Sequence, residues 1–293
     1  MEWIAAFGML GRRIASRHEL LRAGAAPWTL TEAVRLGALI RVRRDHYALP
    51  GTAPEILRAV RVGGRLACTS ALVLNGVFAD DPRTHVHVDR AMSRMRHPER
   101  RAVPLRAGRG SAVLHWHPLL EQADGDECSV GLIDALAQTL RCQRPWWALA
   151  SIDSALHLGL LDDFGLEQVF DGAPERSRRL RRLVDGRAEA GQETILRMIV
   201  RSAGLRCEPQ VTLEGVGRVD LLVEGCLVLE ADSRLAHDGW ELHVRDRDRD
   251  LAAARLGLMT LRPVYQRTMR DPVAVRDAVV NLVAMHRRFR RVL

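Results

Sequence analysis

The sequence predicts an α/β (α+β) protein in three parts, and three observations support this fold class. Hydrophobic residues make up 47% and charged residues 27% of the 293 residues, which is typical of globular proteins rather than disordered or fibrous ones. Apolar residues recur with helical spacing in some segments and alternate as in strands in others. Breaks in these patterns after Gly51 and near Gly186 divide the chain into residues 1–51, 55–170 and 186–293.

The charged residues narrow the range of functions. The chain carries 44 basic and 36 acidic residues, a net charge of +8, and every basic residue is arginine. The guanidinium fork binds phosphate oxygens well, so the basic excess favours a polyanion such as DNA as the partner. The absence of lysine excludes P-loop nucleotide hydrolases, protein kinases and pyridoxal enzymes, because each of these needs a lysine.

The cysteines and the apolar segments predict a reducing, cytoplasmic setting. Five cysteines are scattered and never form C-x-x-C: Cys68, Cys128, Cys142, Cys207 and Cys226. We interpret them as small buried residues rather than as a disulfide frame or a zinc site. No apolar run reaches the roughly 18 residues that cross a bilayer, and the first residues lack the positive region of a signal peptide, so we expect no membrane partner.

The first part begins with two predicted helices. Ser16 and Glu19 have the spacing of a capping box, which predicts a helix that runs to Arg22. Pro27 opens a second helix, which we expect to reach Leu39.

A basic hairpin follows in residues 40–49, whose residues alternate as in strands. Two helices and such a hairpin predict a winged helix, with the second helix in a DNA major groove and the hairpin arginines on phosphates. Those arginines are Arg41, Arg43 and Arg44. The alternative is a small helical domain whose arginines are merely solvated.

The middle part contains two histidine pairs, His85/His87 and His115/His117. Residues two apart in a strand share a face, so each pair could chelate a metal ion. No third ligand follows at a suitable spacing, and we therefore expect ordinary strands here, followed by an amphipathic core helix at residues 129–142.

Residues 10–51, which end in "LIRVRRDHYALPG", resemble the N-terminal winged-helix domain of AbiEi-type antitoxins of abortive-infection systems. The segments "GGRLACTSALVLNG", "HVHVDR" and "GLIDALAQTL" of residues 55–170 are similar to the middle region of many relatives of these antitoxins. This resemblance implies DNA binding, often at the protein's own promoter. It leaves open a toxin partner and self-association.

The third part predicts the element order α-β-β-β-α-β-α. The segment "AGQETILRMIVRSAGL" has the pattern of an amphipathic helix that ends at Gly204. The segments "CEPQVTL", "GRVDLLV" and "CLVLEAD" predict three strands. A helix from Trp240 to Leu256, a strand in "LMTLRP" and a helix from about Pro272 complete the pattern.

The register of the second and third of these strands follows from their apolar residues. A three-residue loop at 224–226 keeps one face wholly apolar, whereas a two-residue loop mixes the faces. The three-residue loop pairs Val219 with Ala231, Leu221 with Leu229, and Val223 with Leu227. It also places Asp220 opposite Glu230, with Asp232 and Arg218 beside them. Because like charges across strands repel each other, the three carboxylates predict a divalent cation, Mg²⁺ or Mn²⁺.

The acidic residues of this part occur in a recognisable order. They comprise Glu193 on the helix, Arg218-Val219-Asp220, Glu230-Ala231-Asp232, His237, and the run Asp246-Arg247-Asp248-Arg249-Asp250. This set resembles the PD-(D/E)XK nuclease superfamily, and in particular the branch related to very-short-patch mismatch-repair endonucleases. The resemblance implies a restriction-endonuclease-like mixed sheet flanked by helices, and hydrolysis of DNA phosphodiester bonds.

The resemblance also implies roles for these residues. Asp220 and Glu230 would ligate the metal ion, Asp232 would add a ligand or hold a water, and Glu193 would lie nearby as an outer ligand or orienting residue. The DNA contacts expected in this part are Arg218, Arg247 and Arg249. For the two arginines of the Asp246–Asp250 run, the alternative is a solvated, salt-bridged helix face.

Two departures from that branch leave the mechanism open. Ser233 replaces its usual glycine, and Asp232 stands where the superfamily has lysine, as it generally does in this branch. Either the metal ion alone or His237 could therefore activate the attacking water. The alternative function is an antitoxin-like transcriptional regulator whose nuclease fold is inactive.

Overall fold

The structure is a computed structural model that describes residues 2–105, 111–121, 124–232 and 240–289. Within these ranges the fold is mixed α/β, with three small sheets. Among the helices of the same ranges, none has both the length and the apolar character needed to cross a membrane.

The chain forms two compact units. The first unit comprises Met1–Cys142 and Asp163–Arg178, and the second comprises Gln143–Asp162 and Arg179–Leu293. Each unit is therefore discontinuous in sequence. The predicted boundary between residues 51 and 55 falls within the first unit and the one near residue 186 within the second, so the division into three domains stays a prediction.

The elements are named here in chain order. The helices are α1 (Trp3–Leu10), α2 (Arg17–Arg22), α3 (Pro27–Arg35), α4 (Pro54–Val62), α5 (Cys68–Leu74), α6 (Leu132–Cys142), α7 (Pro145–His157), α8 (Asp163–Asp171), α9 (Glu175–Arg178), α10 (Gly191–Ser202), α11 (Trp240–Arg255), α12 (Tyr265–Arg270) and α13 (Pro272–Phe289). The strands are β1 (Ile14–Ser16), β2 (Ile40–Arg43), β3 (His46–Ala48), β4 (Arg65–Leu66), β5 (His85–His87), β6 (Val113–His115), β7 (Cys207–Leu213), β8 (Gly217–Val223), β9 (Leu227–Leu229) and β10 (Met259–Leu261).

The first unit opens with α1, α2 and α3 packed with an antiparallel sheet of order β1-β3-β2. The predicted capping box is confirmed, because the Ser16 hydroxyl accepts from the Glu19 N–H while the Glu19 carboxylate accepts from the Ser16 N–H. The predicted end of the second helix is wrong by four residues: α3 ends at Arg35 rather than Leu39. The physical reason is Gly37, whose φ of 73° takes the left-handed conformation that ends a helix.

The rest of the first unit holds the second small sheet, of order β4-β5-β6. Strands β5 and β6 run parallel, with His85 opposite Val113 and His87 opposite His115. The predicted core helix is observed as α6, which begins at Leu132.

The second unit is built on a four-stranded sheet of order β10-β9-β8-β7. Strands β7, β8 and β9 form an antiparallel meander, and β10 lies parallel to β9 after the crossover through α11. The predicted register is confirmed where β8 pairs β9, because Leu221 faces Leu229 and Val223 faces Leu227. These four side chains are buried, as the apolar pattern requires.

Helix α10 is buried over residues 191–200, on its polar side as well as on the apolar side that the sequence predicts. Every residue from Gly191 to Val200 is buried, the polar ones included. The helix lies against α7, α12, α13 and the sheet, so little of its surface is left for water. Its polar side chains are compatible with this position because they bond to fixed partners inside the protein.

The most deeply buried of these contacts is an ion pair between Arg197 on α10 and Asp153 on α7. Arg197 is 1% exposed and Asp153 is 0% exposed, and their Nη2 and Oδ2 atoms are 2.6 Å apart. The same carboxylate accepts from the Thr194 hydroxyl at 2.9 Å and from the Asp185 N–H at 2.8 Å. Burial raises the pKa of Asp153 to about 6, although the charge of Arg197 opposes this shift.

We expect Arg197→Met to lower the free energy of unfolding by about 3–5 kcal/mol, because it leaves the Asp153 charge buried without its partner. Denaturant titration of the full chain measures this loss. The double variant Asp153→Leu/Arg197→Met should recover much of it, and Arg276→Met, which breaks the exposed pair with Asp277, should cost less than about 1 kcal/mol. Equal losses in Arg197→Met and Arg276→Met would contradict the role given to the buried pair.

Candidate active site

Three polar side chains occupy equivalent positions on neighbouring strands. Pro209 pairs with Leu221 and Val211 with Val219, so Gln210 on β7 lies opposite Asp220 on β8. The pairing of Leu221 with Leu229 in turn brings Glu230, directly after β9, opposite Asp220. We call Gln210, Asp220 and Glu230 the polar row.

Asp220 is the middle member of the polar row. Its Oδ2 atom accepts a hydrogen bond of 2.7 Å from the Ala231 N–H. Burial is the main cause that raises the pKa of its carboxyl, and the nearby charges of Glu230 and Glu189 raise the pKa further. The carboxylate form of Asp220 is therefore disfavoured without additional positive charge.

Glu193 brings a further carboxylate to this place from the first turn of α10. It is 6% exposed and caps its own helix, accepting from the N–H groups of Glu189 at 3.1 Å and Ala190 at 3.0 Å. Burial and then the charge of Asp220 raise the pKa of Glu193 to about 7. Near neutral pH, this carboxyl group therefore retains a proton far more often than an ordinary glutamate does.

Gln210 joins Glu193 to the polar row. Its Nε2 atom donates to Glu193 Oε2 at 2.7 Å, and this bond fixes the orientation of the side-chain amide. Its Oε1 atom is buried and has no hydrogen-bond partner among the described residues. Gln210 also has a φ of 56°, a left-handed conformation that is strained for a residue with a side chain. An unpaired buried oxygen beside two carboxylates is a feature that a bound cation or water would relieve.

Glu230, at the other end of the polar row, is balanced by arginines. It is 9% exposed, and its two carboxylate oxygens pair with Arg249 Nη2 at 2.7 Å and Arg262 Nε at 2.6 Å. Arg249 also donates to the backbone carbonyls of Val216 and Arg218. The guanidinium of Arg249 is thus held in place at the edge of the row.

The predicted metal ligands are only partly brought together. Asp220 and Glu230 lie near each other, but Asp232 is exposed and makes an isolated bridge with Val264. Among the described residues, the groups with three or more potential ligand atoms within 4.8 Å do not include Asp220, Glu230 and Asp232 together. His237 lies outside the described residues.

The predicted DNA-binding arginines of the second unit differ in how many contacts they make within the protein. Arg218 pairs with Glu189 at 2.5 Å, and Arg247 pairs with Asp250 at 3.2 Å, and both arginines are exposed. Arg249 is the most constrained, through the contacts with Glu230 and the backbone given above.

The hairpin arginines of the first unit also differ. Arg41 and Arg44 are exposed on the β2–β3 hairpin. Arg43 instead packs inward, with Nη2 at 3.3 Å from the Arg94 carbonyl oxygen, and burial lowers the pKa of its guanidinium.

Sequence reasoning did not single out Gln210, Glu189 or Arg262. A usable signal for Gln210 was its spacing, because it precedes Asp220 by ten residues just as Asp220 precedes Glu230. Arg262 and Glu189 gave no such signal, because their contacts depend on the tertiary fold.

The interpretation of the histidines and cysteines needs correction. The structure brings His85 and His115 together with Cys68 and Cys142, within 4.8 Å of one another, in the first unit. Two of the cysteines that we interpret as packing residues therefore lie where they could act as further ligands beside His85 and His115. They escaped notice because they are distant in sequence.

Comparison of the chain with protein-family models and with curated proteins found no match. The two resemblances carried by short motifs therefore stay predictions. The geometry of the sites is the basis for the functions considered below.

We expect Glu193 to contribute stability to the folded protein that is lost as pH rises from 4.5 to 7. Its pKa is about 7 in the folded protein against an ordinary value of 4.5, so the folded state binds more protons in this window. In Glu193→Gln, the free energy of unfolding should therefore decrease less steeply with rising pH than in wild type, with a difference in slope of up to about 1.4 kcal/mol per pH unit. Denaturant unfolding at several pH values, with exposed Glu208→Gln as control, measures this. The same pH slope in both variants would contradict the assignment.

Proposed function

We propose that the second unit is a divalent-cation-dependent DNA endonuclease and that the first unit contributes to DNA binding. The observation that carries the proposal is the polar row with Glu193 beside it. Two carboxyl groups there have raised pKa values, and the amide oxygen of Gln210 is buried without a partner. Additional positive charge would relieve both features.

The side chains present suit Mg²⁺ or Mn²⁺, because hard divalent cations take carboxylate and amide oxygens as ligands. Asp220 and Glu230 would hold the ion together with the Gln210 amide oxygen, with Asp232 as a further ligand or water-holding residue. When bound, such an ion lowers the pKa of water and neutralises charge that develops on a phosphate.

The chain's own residues supply the remaining functions in this proposal. Glu193 orients the Gln210 amide and releases its proton when positive charge arrives, so cation binding should tighten between pH 6 and 8. Arg249, held by Glu230 and two carbonyl groups, is preorganised to contact a phosphate. Arg218 and Arg247 are exposed and would bind the DNA backbone beside it. His237 stays the candidate for accepting a proton from water.

The element order of both units supports this assignment. The meander β7-β8-β9 followed by α11 and the parallel strand β10 agrees with the pattern expected for the nuclease-like part. In the first unit, helices α2 and α3 precede the basic β2–β3 hairpin, as expected for a winged helix.

A second candidate is a DNA-binding regulator that does not cleave DNA. The observation that favours it is the state of Glu230, whose two carboxylate oxygens are already paired with Arg249 and Arg262. Cation binding would have to displace at least one of these arginines. In an inactive relative, the same arginines would substitute permanently for the cation.

Cleavage of end-labelled duplex and plasmid DNA by the full chain tests the proposal. With Mg²⁺ or Mn²⁺ we expect cleavage that chelator abolishes, and Asp220→Asn should lower its rate by about 10²- to 10³-fold, because several kcal/mol of charge stabilisation is lost. Asp220→Asn should keep DNA binding and be as stable as wild type without metal, or slightly more stable, and Glu214→Gln in an exposed turn is the matched control. Full activity of Asp220→Asn would overturn the proposed site. DNA binding without cleavage by wild type would favour the regulator.

The exposed arginines of the β2–β3 hairpin give a separate prediction about the salt dependence of DNA binding. If Arg41 and Arg44 each contact a phosphate, Arg41→Ala/Arg44→Ala should reduce the slope of log affinity against log salt by about 1.8, or about 0.9 for each contact on duplex DNA. Fluorescence anisotropy at several salt concentrations measures this slope. Arg178→Ala, an exposed arginine of the same unit, should leave it unchanged. An unchanged slope in the double variant would make these arginines ordinary surface residues.

A further inference from the structure

Four potential metal ligands from four different elements converge in the first unit. Cys68 begins α5, His85 begins β5, His115 ends β6 and Cys142 ends α6. One ligand atom from each lies within 4.8 Å of all the others. The Nδ1 atom of His85 is 3.1 Å from His115 Nε2 and 3.9 Å from Cys142 Sγ.

These separations suit a tetrahedral ion. Zinc bonds to sulfur at about 2.3 Å and to imidazole nitrogen at about 2.0–2.1 Å, which places tetrahedral ligand atoms about 3.3–3.8 Å apart. The distances of 3.1 and 3.9 Å, both from His85 Nδ1, lie close to this range. The other separations are each within 4.8 Å, so side-chain shifts alone would bring the four ligand atoms to these distances.

A buried carboxylate fixes the protonation of His85. The Nε2 atom of His85 lies 3.1 Å from Asp81 Oδ2, and an N–H at this position leaves the lone pair on Nδ1, facing His115 and Cys142. Carboxylates that receive the second N–H of a zinc-bound histidine are a regular feature of zinc sites. Asp81 in turn pairs with Arg83 at 2.6 Å, which balances its charge.

Burial and charge both favour a closed structural site. Cys68, His85 and His115 are buried and Cys142 is partly buried, so little room remains for a substrate. Two thiolates neutralise one Zn²⁺. The four ligands with their ion would carry no net charge, and the exposed Arg83 balances the charge of Asp81, which keeps the cost of desolvation low.

The backbone at Cys68 is also held in an unusual conformation. Its φ is 47°, a left-handed value, and its N–H donates to the buried Gln138 side chain at 2.9 Å. Such conformations are found where the surrounding structure needs a side chain in one orientation. Here the orientation brings the Cys68 thiol to the other three ligands.

We propose that Cys68, His85, His115 and Cys142 bind one structural Zn²⁺ ion in the first unit. The ion would join α5, α6, β5 and β6 at one point. This proposal is independent of the nuclease proposal, because it concerns the other unit and a different class of metal ion.

Metal analysis of the full chain, purified under reducing conditions without added chelator, is the first test. We expect about one zinc per chain, and removal of the ion should lower the melting temperature. After Co²⁺ replaces zinc, the spectrum should contain the visible bands of a tetrahedral ion and a thiolate-to-cobalt charge-transfer band. Protein that binds neither ion after reconstitution would overturn the proposal and leave a hydrogen-bonded cluster. A Cys68–Cys142 disulfide in the purified protein would also overturn it.

Variants with matched controls locate the site. Cys142→Ser and His115→Gln should lose the zinc, whereas Cys207→Ser and His117→Gln should retain it. Asp81→Asn keeps all four ligands, so it should bind zinc about 10- to 100-fold more weakly while retaining the tetrahedral cobalt spectrum. Equal zinc content in Cys142→Ser and wild type would overturn the assignment to these residues. Because the wild-type measurements need no variant, a variant that fails to fold does not prevent the test.

Discussion

The burial of helix α10 over residues 191–200 is the constraint on which the second unit depends. The buried part of this helix must satisfy its polar side chains within the protein, because an unpaired buried polar group costs stability. The side-chain amide of Gln192 donates to Thr268 on α12 and to the backbone carbonyl of Pro263, just before α12. Glu193 accepts from Gln210 on β7. Thr194 and Arg197 both donate to the carboxylate of Asp153 on α7. Three consecutive polar residues and a fourth, one turn later, thus fix the helix against three different elements.

This constraint extends to the candidate active site, because Glu193 has two roles. Its carboxylate caps α10 and also fixes the amide of Gln210, so the geometry of the polar row depends on the position of the helix. The charge along the row is uneven. Glu230 is paired with two guanidinium groups, whereas Asp220 and Glu193 accept from backbone and amide N–H groups. Positive charge is therefore most needed where the carboxyl pKa values are raised.

Sequence patterns predicted the features of the fold that depend on residues close together in the chain. The β8–β9 register followed from strand alternation, and the capping box followed from the spacing of Ser16 and Glu19. The burial of the polar side of α10 did not follow from its sequence, because these residues have the pattern of a solvated face until their tertiary partners are known. The Cys/His group was missed for a related reason. Its members are 17, 30 and 27 residues apart in sequence, and only the packing of α5, α6, β5 and β6 brings them together.

The discontinuity of the two units has a consequence for synthesis on the ribosome. Domains tend to fold as units while the chain emerges from its N-terminus. The first unit lacks α8 and α9 until residues up to Arg178 have emerged, although its other elements are made by Cys142. Helix α7 emerges in between, and its principal partner α10 is translated more than thirty residues later. During that interval, the surface that α7 buries against α10 in the folded protein has no α10 to cover it.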